Sequence, residues 1–161
     1  MYYIIIIVAV VALDQLTKYL IQVNMELNHT IPIIDGIFHF TYIHNYGAAF
    51  RILENHQTFL LSVTGLVILC MFAYLIWKRE TGHPLFLVSV ALIIGGGVGN
   101  FLDRAIAGYV VDFFDFRIWP IFNVADIAVV CGCILFSFFI LYWEPRLHKK
   151  TQAMRGEDEE E

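Results

Sequence analysis

Charge is scarce in this chain. Only 16% of its 161 residues are Asp, Glu, Lys or Arg, against about 25% in ordinary soluble domains. Ten basic residues stand against fifteen acidic ones. No basic stripe is therefore available to follow a phosphate backbone, and the composition excludes a nucleic-acid binder. Cysteine is scarce too. Cys70, Cys131 and Cys133 all lie in apolar runs. Three is an odd number, and residues two apart on a helix point to different sides. They read as small buried hydrophobes, in neither a disulfide nor a metal site. The motif His-Glu-x-x-His is missing, and no His falls inside an apolar run, which counts against a metal-dependent protease. His39 and His44 fall on opposite faces of a predicted strand, so they are poor joint ligands.

Apolar residues are what the chain has in excess, at 59%. A soluble protein of this size would expose much of that surplus as contiguous patches, which soluble monomers seldom tolerate. A membrane protein is the leading class. The net charge of −5 comes entirely from Glu157, Asp158, Glu159, Glu160 and Glu161. That run reads as a solvated, disordered end with no bearing on the fold.

A hydrocarbon core about 30 Å thick needs about 20 apolar residues as helix. Four stretches qualify, at about 3–23, 58–77, 85–102 and 127–143. The first has no Lys or Arg before it and no small-residue cleavage site after it. It therefore reads as a permanent span, not a cleaved leader. Lys78, Arg79, Arg146, Lys149, Lys150 and Arg155 lie on one side; Arg51, Arg104 and Arg117 lie on the other. The positive-inside rule then puts both termini in the cytoplasm. The connections at about 24–57 and 103–121 face outward, and 146–161 forms a charged cytoplasmic tail.

The first outer connection contains Ile37-Phe38-His39-Phe40-Thr41-Tyr42-Ile43-His44, rich in the aromatic and β-branched residues of strands. Pro32 and Asp35-Gly36 punctuate its approach. The expected fold is all-α, with four transmembrane helices, a small extracytoplasmic β-sheet and a short interfacial helix over 48–58. No internal repeat is visible, which weakens a transporter built on inverted halves.

Polar groups inside such spans are costly and usually functional. Asp14 and Lys18 share a helix face at i, i+4, and Gln15 and Thr17 are placed to hydrogen-bond across helices. A purely structural ion pair would explain Asp14 and Lys18 equally well. Gly95-Gly96-Gly97-Val98-Gly99 lets a neighbouring backbone approach closely. Asn100, Asp103 and Arg104 follow on one face, and a helix-end ion pair would also account for them. Asp112 stands among large apolar residues, and Asp126 opens the fourth span, where it could serve merely as an N-cap. Asp115 and Arg117 are expected to face water, without a role. Two carboxyls brought close together in a greasy site cannot both ionise, so one holds a proton at neutral pH. Such a pair supplies the base and the acid of an aspartic protease. Spacing alone does not bring Asp112 to Asp126.

Taken together, these residues resemble the bacterial lipoprotein signal peptidase family, also called signal peptidase II. The matching elements are Asp14-Gln15-Leu16-Thr17-Lys18, Asn45-Tyr46-Gly47-Ala48-Ala49-Phe50, Gly99-Asn100-Phe101-Leu102-Asp103-Arg104, Val110-Val111-Asp112-Phe113 and Phe122-Asn123-Val124-Ala125-Asp126. They occur in the family's order and cover about residues 3–143. The resemblance implies one membrane-embedded peptidase domain over 1–145. It implies an intramembrane aspartic endopeptidase with no metal or organic cofactor, in the bacterial plasma membrane. Family members remove signal peptides from prolipoproteins, cutting before a diacylglyceryl-modified cysteine. By the same resemblance, Asp112 and Asp126 are the catalytic pair. Asn45, Gly47, Asn100, Arg104 and Asn123 bind substrate. Asp14 and Lys18 support the site, and Asp103 is structural, paired with Arg104. The implied partners are diacylglyceryl-prolipoproteins, membrane lipid and globomycin-type cyclic peptide inhibitors, with no nucleic acid and with a monomer as the working unit. The competing readings are a small carrier using Asp14, Lys18 and Asp103 as a relay, and a noncatalytic membrane scaffold.

Overall fold

The computed structural model describes residues 2–47 and 57–146. The helix expected over 48–58 falls almost wholly outside them, as does the charged tail beyond Arg146.

Four long apolar helices carry the chain: α1 (Tyr2–Asn24), α2 (Gln57–Lys78), α3 (Pro84–Ala107) and α4 (Val124–Phe138). A π-helical turn, Phe139–Trp143, prolongs the last one, and the candidate span reaches Arg146. Each is long enough to cross a hydrocarbon core. Three strands, β1 (Thr30–Ile34), β2 (Phe38–Asn45) and β3 (Val110–Asp115), form one antiparallel sheet in the order β1-β2-β3.

The ends of these elements follow from local chemistry. His83 caps α3, its Nδ1 accepting from the Leu85 amide at 3.2 Å, and Pro84 fills a position that needs no amide donor. The helix runs five residues past the boundary expected from hydropathy. Its stop is Gly108, which takes φ +78° and returns its N–H to the Arg104 carbonyl. Asp103 and Arg104 are thus helical residues and not part of a loop. At the start of α4, Asn123 and Asp126 form a reciprocal capping box. Asp126 is its third helical residue, and Asn123 takes the N-cap place considered for Asp126.

α3 is the central helix and packs against the other three. Its glycines make this possible, Gly95 and Gly99 facing α1, Gly96 facing α4 and Gly97 facing α2. A Cβ at Gly95 would stand 2.9 Å from Cβ of Val10 on α1, and one at Gly97 would stand 3.3 Å from Ile68 on α2. One at Gly96 would collide with the Ala125 carbonyl on α4, and one at Gly99 would stand 2.6 Å from the Asp14 carboxylate. Two apolar clusters lie at opposite ends of the bundle. Tyr3, Leu75, Phe86, Leu87, Val90, Ala91, Ile94 and Phe139 pack where α1 and α3 begin and α2 ends. Met25, Tyr42, Val111 and Phe113 pack where α1 ends against the sheet. The sheet therefore caps the end of the bundle at which α3 stops and α4 starts.

Elsewhere the helices present bare apolar surface, including Ile5 (70% exposed), Leu69 (68%) and Trp77 (72%). Cys70, Cys131 and Cys133 belong to that surface and are exposed, which corrects their reading as buried hydrophobes. In lipid an outward thiol has no reason to hide, because the surroundings are as apolar as a core.

Candidate active site

β3 and the start of α4 bring Asp112 and Asp126 to one cavity of about 260 Å³. Asn123 is the residue that joins them. Its side-chain Nδ2 donates to Oδ1 of Asp112 at 2.7 Å, while its backbone N–H donates to Oδ2 of Asp126 at 3.1 Å. Two further amides complete the set. Asn45 Nδ2 donates to the other Asp112 oxygen at 2.9 Å, and Asn100 Nδ2 donates to the other Asp126 oxygen at 2.8 Å. Every carboxyl oxygen of the pair thus accepts one hydrogen bond.

Each Asn is aimed by what its own oxygen accepts. Asn123 Oδ1 accepts from the Asp126 amide at 3.0 Å. Asn45 Oδ1 accepts from the Gly47 amide at 3.0 Å. Asn100 Oδ1 accepts from Lys18 Nζ and from Asn123 Nδ2, both at 3.0 Å. With the acceptor side engaged, each amide turns its donor side towards a carboxylate. Arg104 adds a further tie, donating from Nη2 to the Gly47 carbonyl at 2.8 Å. Its Nε is buried and has no partner among the described residues.

Behind this layer lies an ionic cluster. Lys18 is 3% exposed and contacts Asp14 at 2.8 Å and Asp103 at 2.9 Å. Asp14 also accepts from the Ala125 amide at 2.9 Å, tying α1 to the first turn of α4. Asp103 accepts from Gln15 at 2.8 Å and from the Val111 amide at 3.2 Å, tying α3 to β3. The expected pairing of Asp103 with Arg104 is therefore corrected. Adjacent helical side chains diverge; Asp103 turns to α1, and Arg104 turns to the cavity and Gly47. Thr17, expected to reach another helix, bonds back to the Leu13 and Asp14 carbonyls of its own. Asp115 is buried, not solvated. It accepts from Thr41 at 2.7 Å and pairs with Arg117 at 3.4 Å, holding the far edge of the sheet.

Electrostatics single out Asp112. Burial, and then the charge of Asp126, push its carboxyl up to about 7, against the hydrogen bonds from Asn45 and Asn123 and the charge of Lys18. β3 places it there through an irregularity in the sheet. Between Phe40↔Phe114 and Ile43↔Asp112 the register slips by one residue, and such a bulge re-aims the side chains beside it.

Residues 119–122 form an apolar wall, with Trp119, Pro120, Ile121 and Phe122 all lining the cavity. The sequence reading gave this wall no role apart from Phe122. The available signal was an aromatic, Pro-containing stretch lying between two candidate acids. Among the described residues no group of three His, Cys, Asp or Glu could hold a metal ion.

A family model described as Signal peptidase (SPase) II matches residues 6–142. The chain belongs to the signal peptidase II family. Signal peptidase II membership makes it a protease, and with four apolar helices a multi-pass membrane protein. The matched range contains every residue of the polar network described above. The lipoprotein signal peptidase of Moorella thermoacetica is 47% identical over 135 residues, 82% of this chain and 87% of that protein. That of Halothermothrix orenii is 43% identical over 136 residues, 84% of this chain and 92% of its own length. Two solved structures described as a bacterial membrane enzyme are each 33% identical. One has a TM-score of 0.79 and covers 87% of either chain; the other has 0.76 and covers 88% of this chain and 94% of its own.

Proposed function

We propose that this chain is an aspartic endopeptidase that removes signal peptides from bacterial prolipoproteins, cutting on the N-terminal side of a diacylglyceryl-modified cysteine. Asp112 and Asp126 are its catalytic pair. The observation that carries the reading is the joint hold of Asn123 on both carboxyls. Burial and the charge of Asp126 push the Asp112 carboxyl up to about 7, so near neutral pH the pair can hold one proton between its two carboxyls.

The chemistry follows. The ionised carboxyl takes a proton from water as the water oxygen attacks the scissile carbonyl carbon. The protonated carboxyl donates to the carbonyl oxygen, where negative charge develops. A carbon–oxygen bond forms, the carbon–nitrogen bond breaks, and the departing nitrogen collects the proton taken from water. Arg104 Nε is a buried donor on the cavity wall with no acceptor among the described residues. It suits a substrate backbone carbonyl, which would cancel the cost of leaving it unpaired. Asn45 and Gly47 fix the edge of the same wall. Asp14, Lys18 and Asp103 support the site from behind.

Charge supports an orientation. Lys78, Arg79 and Arg146 lie at the end of the bundle away from the sheet. The positive-inside rule makes that end cytoplasmic, with both termini. The sheet and the cavity then lie at the outer face, where an exported substrate presents its cleavage region. The enzyme works as a monomer, takes its substrate from membrane lipid, and is open at the same cavity to cyclic peptide inhibitors of the globomycin type.

The test is cleavage by purified protein in detergent. The substrate is a fluorogenic peptide with a diacylglyceryl-cysteine, run beside an unlipidated control. Cleavage before the lipidated cysteine is expected, lost by at least 10³-fold in both Asp112→Asn and Asp126→Asn. Full activity in either variant, inserted and folded, would refute the pair.

A further inference from the structure

Lys18 makes one contact that its charge does not require. An ammonium group has three donors. Two of them meet Asp14 at 2.8 Å and Asp103 at 2.9 Å, and those carboxylates already outnumber its single charge. The third donates to Oδ1 of Asn100 at 3.0 Å, an uncharged amide. That bond turns the Asn100 nitrogen towards Asp126, its one acceptor among the described residues, at 2.8 Å. Lys18 thus reaches Asp126 through a single side chain. It reaches Asp112 only past Asn123 as well.

The holds on the two acids differ in kind. Asp126 accepts from the main-chain N–H of Asn123 and lies in the first turn of α4, where the helix dipole favours negative charge. Asp112 lies on a strand, which offers no comparable dipole. One of its donors is also shared. Asn123 Nδ2 has two hydrogens and three acceptors: Asp112 at 2.7 Å, Asn100 Oδ1 at 3.0 Å and the Val111 carbonyl at 3.3 Å. Arg104 on α3 interacts with the charges of Asp112, Asp126 and Asp103, so it does not tell the two acids apart. Tyr19 and Tyr109 line a small cavity beside Lys18.

We propose that Lys18 is a positioning residue: by fixing the orientation of Asn100 it keeps the negative charge on Asp126, which makes Asp126 the base and leaves Asp112 as the acid. The inference rests on the proposed reading of these two residues as the catalytic pair. Asp126 takes a proton from the water whose oxygen bonds the scissile carbon, and Asp112 gives its proton to the carbonyl oxygen. When the carbon–nitrogen bond breaks, the nitrogen collects the proton from Asp126, and the new carboxyl returns one to Asp112. The pair ends with one proton, on the residue that began with it. Were Lys18 only a tie between α1 and α3, its loss would lower the amount of folded enzyme and leave the shape of the pH profile alone.

The experiment measures kcat and KM across pH for the full chain, Lys18→Met, Lys18→Arg and Asn100→Leu, with the lipidated peptide as substrate. Asn100→Leu breaks the link while Lys18 keeps both carboxylates. In Lys18→Met and Asn100→Leu the low-pH limb of kcat, where the base takes up a proton, should move up by about one pH unit, the worth of one hydrogen bond to a charged group. The optimal kcat should fall by about tenfold or more, with KM within about threefold. Lys18→Arg keeps the charge and the donors, and should bring the limb back towards that of the full chain. A limb unmoved in folded Lys18→Met and Asn100→Leu would overturn the positioning role.

A second measurement serves if Lys18→Met does not fold or the variants cut too slowly to profile. Infrared spectra at about pH 5.5, below the value of about 7 to which burial and Asp126 push Asp112, read which carboxyl carries a proton. Asp126→Asn should show a protonated-carboxyl band that the double variant Asp112→Asn/Asp126→Asn lacks. Asp112→Asn should show none beyond that double variant, until Asn100→Leu is added to it. A protonated Asp126 in Asp112→Asn alone would overturn the assignment of base and acid. No new band on adding Asn100→Leu would remove Asn100, and Lys18 with it, from the role. Failure of the unmodified protein to cut the lipidated peptide would instead overturn the peptidase reading, and the infrared bands would still say where the proton sits.

Discussion

At the scale of single residues, the site is a problem of aiming amides. A carboxamide can present oxygen or nitrogen to a neighbour, and only the nitrogen helps an ionised carboxylate. The oxygens of Asn45, Asn100 and Asn123 are each committed to another donor, so no flip is open to them. Asn123 carries most of this burden, serving Asp112, Asp126 and the N-cap of α4 together. Replacing Asn123 by Ala should therefore do two separable things. Loss of the cap costs about 1 kcal/mol of stability. Loss of the shared donor should lower kcat by 10²-fold or more, while Asn123→Asp keeps the cap but adds a third carboxyl and restores no activity. Thermal unfolding and single-turnover cleavage, measured on the same samples, separate the two effects. The pH dependence also belongs here. Asp112 is held at about 7 in the fold, against 3.8 unfolded. The folded state thus binds this proton more tightly. The group's contribution to stability is complete below about pH 4 and is lost as the pH rises towards 7. In the proposed mechanism this proton is the acid of the reaction, so kcat should fall as the pH rises through about 7. A flat profile from pH 6 to 9 would remove Asp112 from that role.

At the scale of elements, the helices were legible in the sequence because hydrocarbon thickness dictates their length, and the strand over 37–44 because its composition suits no other element in that place. What the sequence did not reveal was partnership. Asp103 and Arg104 are neighbours in the chain and invite pairing on paper. In the helix they diverge, and the partner of Asp103 is Lys18, 85 positions earlier. Likewise Asp115 looked solvated because its own segment ends in a loop, yet Thr41 of the adjacent strand buries it. Both depend on register between elements, which local pattern does not carry. The cluster of Asp14, Lys18 and Asp103 thus belongs to α1, α3, β3 and α4 jointly, and its removal should be felt as a loss of fold. Lys18→Met leaves two buried carboxylates facing each other and should cost about 3–5 kcal/mol. Asp14→Asn keeps an oxygen for the Ala125 amide and should cost less. Chemical denaturation in detergent micelles gives the order of the two. Gly96→Val tests the same level by another route, since the added branch meets the α4 backbone at Ala125. It should push the start of α4 outwards and abolish cleavage even in protein that still inserts.

At the scale of the whole molecule, exposed Leu, Ile, Phe and Trp side chains cover most of α1, α2 and α4. Hydrocarbon imposes no penalty on that surface, so the fold need only satisfy its polar groups, and it gathers them at the sheet end. This polarity makes the orientation consequential. An acid pair at the outer face meets exported substrate, whereas the same pair at the inner face would meet nothing to cut. The orientation can be read directly with introduced cysteines, after Cys70, Cys131 and Cys133 are replaced by Ala. Arg79, in the turn joining α2 and α3, is half exposed, and Ile118, in the turn after β3, is almost fully exposed. In intact cells a membrane-impermeant maleimide should label Ile118→Cys at once. Arg79→Cys should be labelled only after the membrane is opened. The reverse pattern would place the carboxyls on the cytoplasmic side and remove the physical reason for this enzyme to act after export. Labelling of both positions in intact cells would mean that the chain inserts in two orientations, with its six basic residues against three too weak a bias to fix one.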